Sequence, residues 1–158
     1  MQTQIEQVRE FHRHIGAAIA ASPRLLKHDK EACQGVARAL RALCGAEGEA
    51  SAKADELLSR VRMELEELAE WIESHVADDL TKVADAWADR CYLLLGDAVA
   101  TGLPVEEVFR EVHRSNMTKS AAHPTTGKAV KSDHYIAPDI AIGGARGRGT
   151  TDDDTGSG

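Results

Sequence analysis

The sequence predicts an all-α fold, and three observations carry that prediction. Apolar residues recur at spacings of three and four over most of positions 1–119. Hydrophobic residues make up 42% of the chain and are mostly Ala, Leu and Val, while aromatics are only 4%; helices favour Ala and Leu, whereas strands favour aromatic and β-branched side chains. No strand-like alternation persists along the chain. The length, 158 residues, is that of one domain.

The elements follow in order. Helix one is expected over about residues 4–20, opened by a Thr3/Glu6 capping box and carrying Ile5, Val8, Ile15 and Ile19 on one stripe. Ser22-Pro23 marks its end, because the residue before proline avoids the helical region. Helix two is expected over 29–44, with Asp29 as N-cap and Cys33, Val36, Leu40 and Leu43 inward. The glycines of 45–51 make a loop. Helix three, about 52–76, repeats Leu58, Val61, Leu65, Leu68 and Ile72 at helical spacing. Helix four, about 79–101, does so with Leu80, Val83, Trp87, Cys91, Leu94 and Ala98, a stripe position that favours the core for Trp87. Gly102 stops it, and Pro104 suits the first turn of helix five, which carries Val105, Val108, Phe109 and Val112.

Beyond Lys119 the periodicity fails. The expected organisation is a helical domain over 1–119, an irregular extension over 120–142 and a disordered tail over 143–158. That tail, GGARGRGTTDDDTGSG, has too few apolar side chains to offset its conformational entropy.

Charge and composition exclude several functions. The net charge of −7 argues against nonspecific nucleic-acid binding, which needs a basic surface. No apolar run reaches the ~18 residues of a bilayer span, and the opening MQTQIEQVREFHRH has no apolar signal segment. A cytoplasmic protein without membrane or nucleic-acid partners is expected. Cys33, Cys44 and Cys91 form no CxxC pair and are odd in number, so they read as buried thiols, not a disulfide or zinc framework. The seven histidines form no HExxH pair and read as surface or satisfied side chains.

The chemistry-bearing feature is acidic. Glu67 and Glu70 on helix three are three apart, and Asp85 and Asp89 on helix four are four apart, so each pair shares a helix face. The turn between the helices centres near Ala77-Asp78. Glu70 and Asp85 each lie about seven residues from it, and Glu67 and Asp89 about ten to twelve. In an antiparallel hairpin the pairs reach similar heights. Four converging carboxylates repel one another, and a divalent cation offsets that repulsion. An all-oxygen set suits Mg²⁺ or Mn²⁺. On a helical wheel, however, Glu67 and Glu70 lie nearly opposite Val61, Leu65, Leu68 and Ile72, as a solvated face would. Periodicity alone favours the solvated face over the metal site.

The order of these residues resembles the all-α nucleoside triphosphate pyrophosphohydrolases, which include MazG-like enzymes, phosphoribosyl-ATP pyrophosphohydrolase and dimeric dUTPases. Their signature is EExxE followed by ExxD. Glu66-Glu67-Leu68-Ala69-Glu70 matches the first part and Asp89 the last residue of the second. The chain departs at Ala86, three before Asp89, where the signature has Glu; the acid here is Asp85. The run Asp85-Ala86-Trp87-Ala88-Asp89 is similar to a phage and bacterial branch labelled phosphoribosyl-ATP pyrophosphohydrolase-like. The segments Val8–His12, Tyr92–Gly96, Val108–Lys119 and Tyr135–Ile140 also resemble that branch, and residues 28–55 fit it least.

The resemblance implies a four-helix-type bundle completed by oligomerisation as a homodimer or homotetramer. It implies Mg²⁺-dependent conversion of a nucleotide to the monophosphate plus pyrophosphate. Glu67, Glu70 and Asp89 are the implied metal ligands, with Asp85 as a fourth. Glu66 is implied as a further ligand or as the group that orients the attacking water, and Arg114, Asn116 and Lys119 as phosphate contacts. Tyr92 is the candidate base contact, with Trp87 favoured for the core over stacking on a base; His12 and His113 are weaker candidates. Two alternatives stand beside this: a phosphoribosyl-ATP pyrophosphohydrolase, and a non-catalytic helical module that binds a nucleotide or a protein.

Overall fold

The structure, a computed structural model, describes residues 1–45 and 55–140. Among them are five helices, α1 (Gln2–Ile15), α2 (Lys30–Gly45), α3 (Glu56–Val76), α4 (Leu80–Thr101) and α5 (Val105–Asn116), and two short strands, β1 (Lys119–Ala122) and β2 (Ala129–Lys131). The fold is all-α with minimal sheet. The described residues divide into two compact units, one within 19–102 and the other made of 1–18 and 103–140.

The first unit holds α2, α3 and α4. Asp29 caps α2 as expected, its Oδ1 accepting from the Ala32 N–H at 2.8 Å. Asp55 does the same for α3 through Leu58 N–H at 3.0 Å, and Asp79 for α4 through Lys82 N–H at 3.1 Å. Between α3 and α4 the chain turns through Ala77 and Asp78; Asp78 has φ 57, a left-handed conformation that a short polar side chain tolerates. Lys30 Nζ reaches Asp78 Oδ2 at 2.6 Å and ties the start of α2 to this turn.

α3 is the middle helix and packs on both α2 and α4. The residues at these contacts are small: Ala37 on α2, Ala69 on α3 and Ala86 on α4 are buried. This corrects the expected inward faces. Val36 and Leu43 are exposed, while Ala37 is buried and Cys44 half-buried. Trp87, expected in the core, is 47% exposed, and its neighbour Ala86 is buried instead. On α2 and α4 the expected stripes are thus only partly inward: Val83 is buried and Cys33, Leu40 and Cys91 are half-buried, while Val36, Leu43 and Trp87 give way to the small neighbours. Small residues let the backbones approach, and close packing favours that over burying the largest side chain in isolation. His75 is buried and satisfied, its Nδ1 donating to the Trp71 carbonyl oxygen at 2.9 Å.

The second unit holds α1, α5 and the hairpin. α1 starts at Gln2, before the expected site, with no side-chain cap, so Thr3 lies inside the first turn and forms no capping box. It ends at Gly16, whose φ of 73 takes the left-handed C-cap conformation, several residues short of Ser22-Pro23. α5 follows Pro104 as expected, with Val105, Val108, Phe109 and Val112 half-buried.

The stretch after α5 is more regular than its composition suggests. β1 and β2 pair antiparallel, Lys119 opposite Lys131 and Ala122 opposite Ala129, around a turn closed by Gly127 with φ 67. Strands of four and three residues are too short for a period of two to show in sequence. The tail expected at 143–158 lies outside the described residues, as does most of the loop expected at 45–51.

Candidate functional site

The carboxylates of the EExxE run stand on the middle of α3, where a neighbouring helix lies on either side. That placement decides the environment of Glu67. It is half-buried, and its Oε2 is buried with no hydrogen-bond partner among the described residues. Its carboxyl is pushed above the usual glutamate range, first by burial, then by the negative charges of Glu70, Asp89 and Glu66, with Arg41 opposing. Asp89 belongs to α4, so negative charge from both helices acts on Glu67. Glu66, Glu70 and Asp89 are themselves exposed.

Asp85 is exposed on α4 and is not among the charges acting on Glu67. Ala86, at the position of the signature's missing Glu, is buried. An acid at 85 therefore leaves α4 about 100° away from the face that Ala86 presents. Tyr92 is 81% exposed.

Sequence reasoning missed Arg41. Arg41 on α2 lies against the acidic face of α3: its Nη2 is 2.8 Å from Glu73 Oε2 and 3.6 Å from Glu70 Oε1, and its Nη1 is 3.8 Å from Glu66 Oε1. The Arg41 guanidinium holds Glu73 below the usual glutamate range. No local pattern links Arg41 to residues 25–32 positions further on; only the packing of α2 on α3 brings them together.

The implied phosphate contacts lie in the other unit, on and just after α5, and have partners there. Arg114 pairs with Glu111 in a two-pronged contact at 2.6 and 2.8 Å and also donates to the Ala137 carbonyl oxygen at 3.1 Å. Glu111 also accepts from the Asp139 N–H at 2.7 Å, and these bonds hold its carboxyl down at about 2. Lys119 Nζ donates to Asn116 Oδ1 at 2.7 Å. Ser115, buried between them in sequence, donates to the Ile136 carbonyl oxygen at 2.8 Å, and Thr118 Oγ1 accepts from the Ile136 N–H at 2.9 Å. This run thus anchors the segment Tyr135–Ile140. His113 Nε2 lies 3.3 Å from Glu10 Oε2, and His12 Nδ1 donates to the Ala18 carbonyl oxygen at 3.0 Å.

Among the described residues, no three His, Cys, Asp or Glu side chains already stand close enough to hold an ion. The donor set still fits a hard divalent cation. It is all oxygen and like-charged, and one buried oxygen lacks any donor.

Residues 46–116 match the family model described as phosphoribosyl-ATP pyrophosphohydrolase. No curated protein and no solved structure gives a match. The matched stretch takes in α3, α4 and α5, with Glu66, Glu67, Glu70, Asp85 and Asp89, and stops short of Arg41 and Lys119. The family is one of nucleotide pyrophosphohydrolases, generally dependent on a divalent metal. This stretch of the chain therefore belongs to the all-α nucleoside triphosphate pyrophosphohydrolase superfamily, the MazG-like group that includes phosphoribosyl-ATP pyrophosphohydrolase.

Proposed function

We propose that the chain is a Mg²⁺-dependent nucleotide pyrophosphohydrolase that releases pyrophosphate and a nucleoside monophosphate. The observation that carries this is Glu67, whose buried oxygen has no donor and whose charge is opposed by Glu70, Asp89 and Glu66. Such a group is costly unless a cation joins it. Glu67, Glu70 and Asp89 would hold Mg²⁺ or Mn²⁺, with Asp85 the fourth carboxylate. A bound divalent ion there neutralises phosphate charge and makes a water more acidic.

The chain's own groups do the rest. Glu66 is exposed beside Glu67, with Arg41 Nη1 3.8 Å away, and would orient a water and accept its proton. The water oxygen bonds to phosphorus as the bond to the leaving pyrophosphate oxygen breaks, and the electron pair leaves with pyrophosphate. Arg114, Asn116 and Lys119 are our proposed phosphate contacts; to serve, Arg114 must loosen from Glu111 and Lys119 from Asn116.

The test is a panel of nucleotides, phosphoribosyl-ATP among them, supplied with Mg²⁺ while pyrophosphate and monophosphate are measured. We expect turnover of at least one nucleoside triphosphate in preference to phosphoribosyl-ATP. Silence across the panel removes the hydrolase reading. One observation favours the competing reading of a binding module: Ala86 is buried where the signature has its second-helix Glu.

We also propose that the chain assembles with itself. α4 exposes Tyr92, Leu95 and Val99 at helical spacing, with Val99 84% exposed. Light scattering after gel filtration should give a dimer or tetramer, and Val99→Glu should shift it toward monomer. A monomeric wild type at micromolar concentration sinks the proposal. No helix among the described residues is long and apolar enough to cross a membrane.

A further inference from the structure

Arg41 spends its hydrogen bonds in an unexpected place. Nε and Nη2 both donate to Glu73, at 3.2 and 2.8 Å, and Glu73 is outside the EExxE run. The contacts to Glu66 and Glu70 are longer, 3.8 and 3.6 Å, and are ion pairs without hydrogen bonds. Among the described residues Nη1 donates to nothing. A guanidinium has five N–H donors in a rigid fork, so most of Arg41's donors remain unspent beside Glu66 and Glu70.

Stability is a weak reason for this arrangement. The side chains of Glu66, Glu70 and Glu73 are all about half exposed, and exposed ion pairs contribute little. A two-pronged pair does fix direction. Here it sets Nη1 beside Glu66, proposed to orient the water, and Nη2 beside Glu70, proposed to hold the metal. Once a cation neutralises those carboxylates, the hold of Glu66 on Nη1 and of Glu70 on Nη2 would weaken, leaving the fork facing whatever anion the cation carries. Arg41 also lies outside the matched residues 46–116, so the family match does not supply it.

The geometry points to Arg41 as a phosphate-binding residue of this site, aimed by Glu73 as a positioning residue, its ligand being the polyphosphate of the nucleotide. The inference rests on the hydrolase reading of the carboxylate site. In the metal-free protein the same guanidinium acts as a stand-in counter-charge for Glu66 and Glu70.

The experiment uses two probes on the full chain: Mg²⁺ alone, followed by thermal unfolding, and methylenediphosphonate with Mg²⁺, followed by calorimetry. The phosphonate carries no base and is not hydrolysed, so it reports phosphate contacts alone. Arg41→Gln should half-saturate at the same or lower Mg²⁺, because a competing cation is gone. It should bind the phosphonate about tenfold more weakly, the loss of one charge-assisted hydrogen bond. Arg41→Lys should recover part of that affinity, and Glu73→Gln should lose part of it with the Mg²⁺ response intact. Wild-type phosphonate affinity in Arg41→Gln, with Mg²⁺ response retained, overturns the inference and leaves the hydrolase reading standing. So does a parallel weakening of Mg²⁺ and phosphonate, which would make Arg41 a support for the carboxylates only. Absence of any Mg²⁺ response in the wild type overturns both.

Discussion

Replacing Glu67 by Gln should abolish the stabilisation that Mg²⁺ confers and lower turnover by at least about a hundredfold, since losing even an outer-shell partner of a metal costs 10–100-fold. Ligand-linked stabilisation depends on affinity for the folded state alone, so thermal unfolding with and without Mg²⁺ reads it directly. Without metal, the same variant should be more stable than the wild type. The carboxyl of Glu67 is pushed up by burial and by Glu70, Asp89 and Glu66. A carboxyl raised on folding favours the folded state most below its unfolded pKa, and that advantage is lost as pH rises through the folded pKa. At neutral pH the charged Glu67 is therefore a liability that Gln removes. The gap between variant and wild type should close as pH falls into the usual glutamate range. An unchanged Mg²⁺ response in Glu67→Gln would show that the ion binds elsewhere or not at all.

Ala69→Leu should destabilise the unit of α2, α3 and α4 by about 1–3 kcal/mol, the usual cost of overpacking a close-packed site. Ala69 is fully buried, one turn from Glu66 and Glu73 and next in sequence to Glu70. It lies on the helix that both α2 and α4 cover, so added methylenes have no free side to occupy. The midpoint of urea unfolding should fall with little change in slope. Ala88→Leu, on an exposed position of α4, is the control and should stay within about 0.5 kcal/mol. Equal midpoints for the two variants would mean that the helices do not approach at Ala69. Because Ala69 lies inside the EExxE run, the Leu variant should also weaken Mg²⁺ stabilisation, through displaced carboxylates instead of a lost ligand.

Much of the fold was legible because helices announce themselves locally. Helix three was expected at about 52–76 and α3 spans Glu56–Val76, and the turn expected near Ala77-Asp78 lies between it and α4. Asp29 was readable as a cap from its position alone. Local signals failed where two of them competed. Gly16 ended α1 before Ser22-Pro23 did, because a left-handed C-cap needs only one residue without a Cβ. The hairpin of β1 and β2 escaped notice because its pairing is between residues about ten apart and its strands are too short to show a period.

The candidate site divides in the same way. Sequence by itself singled out the acids proposed for the site, Glu66, Glu67, Glu70 and Asp89, and the resemblance that the family match over residues 46–116 supports. It also exposed the departure at Ala86. Only the tertiary structure decided what Glu67 is. Helical periodicity assigns one apolar stripe and one solvated face to α3, which put Glu67 in water. Packing on both α2 and α4 leaves that helix with two covered sides, so one oxygen of Glu67 is buried without a donor and Arg41 arrives from α2 to face its neighbours. A hydropathy pattern counts apolar side chains, whereas burial depends on how many helices a face meets and on the small residues, Ala37, Ala69 and Ala86, that let them come close.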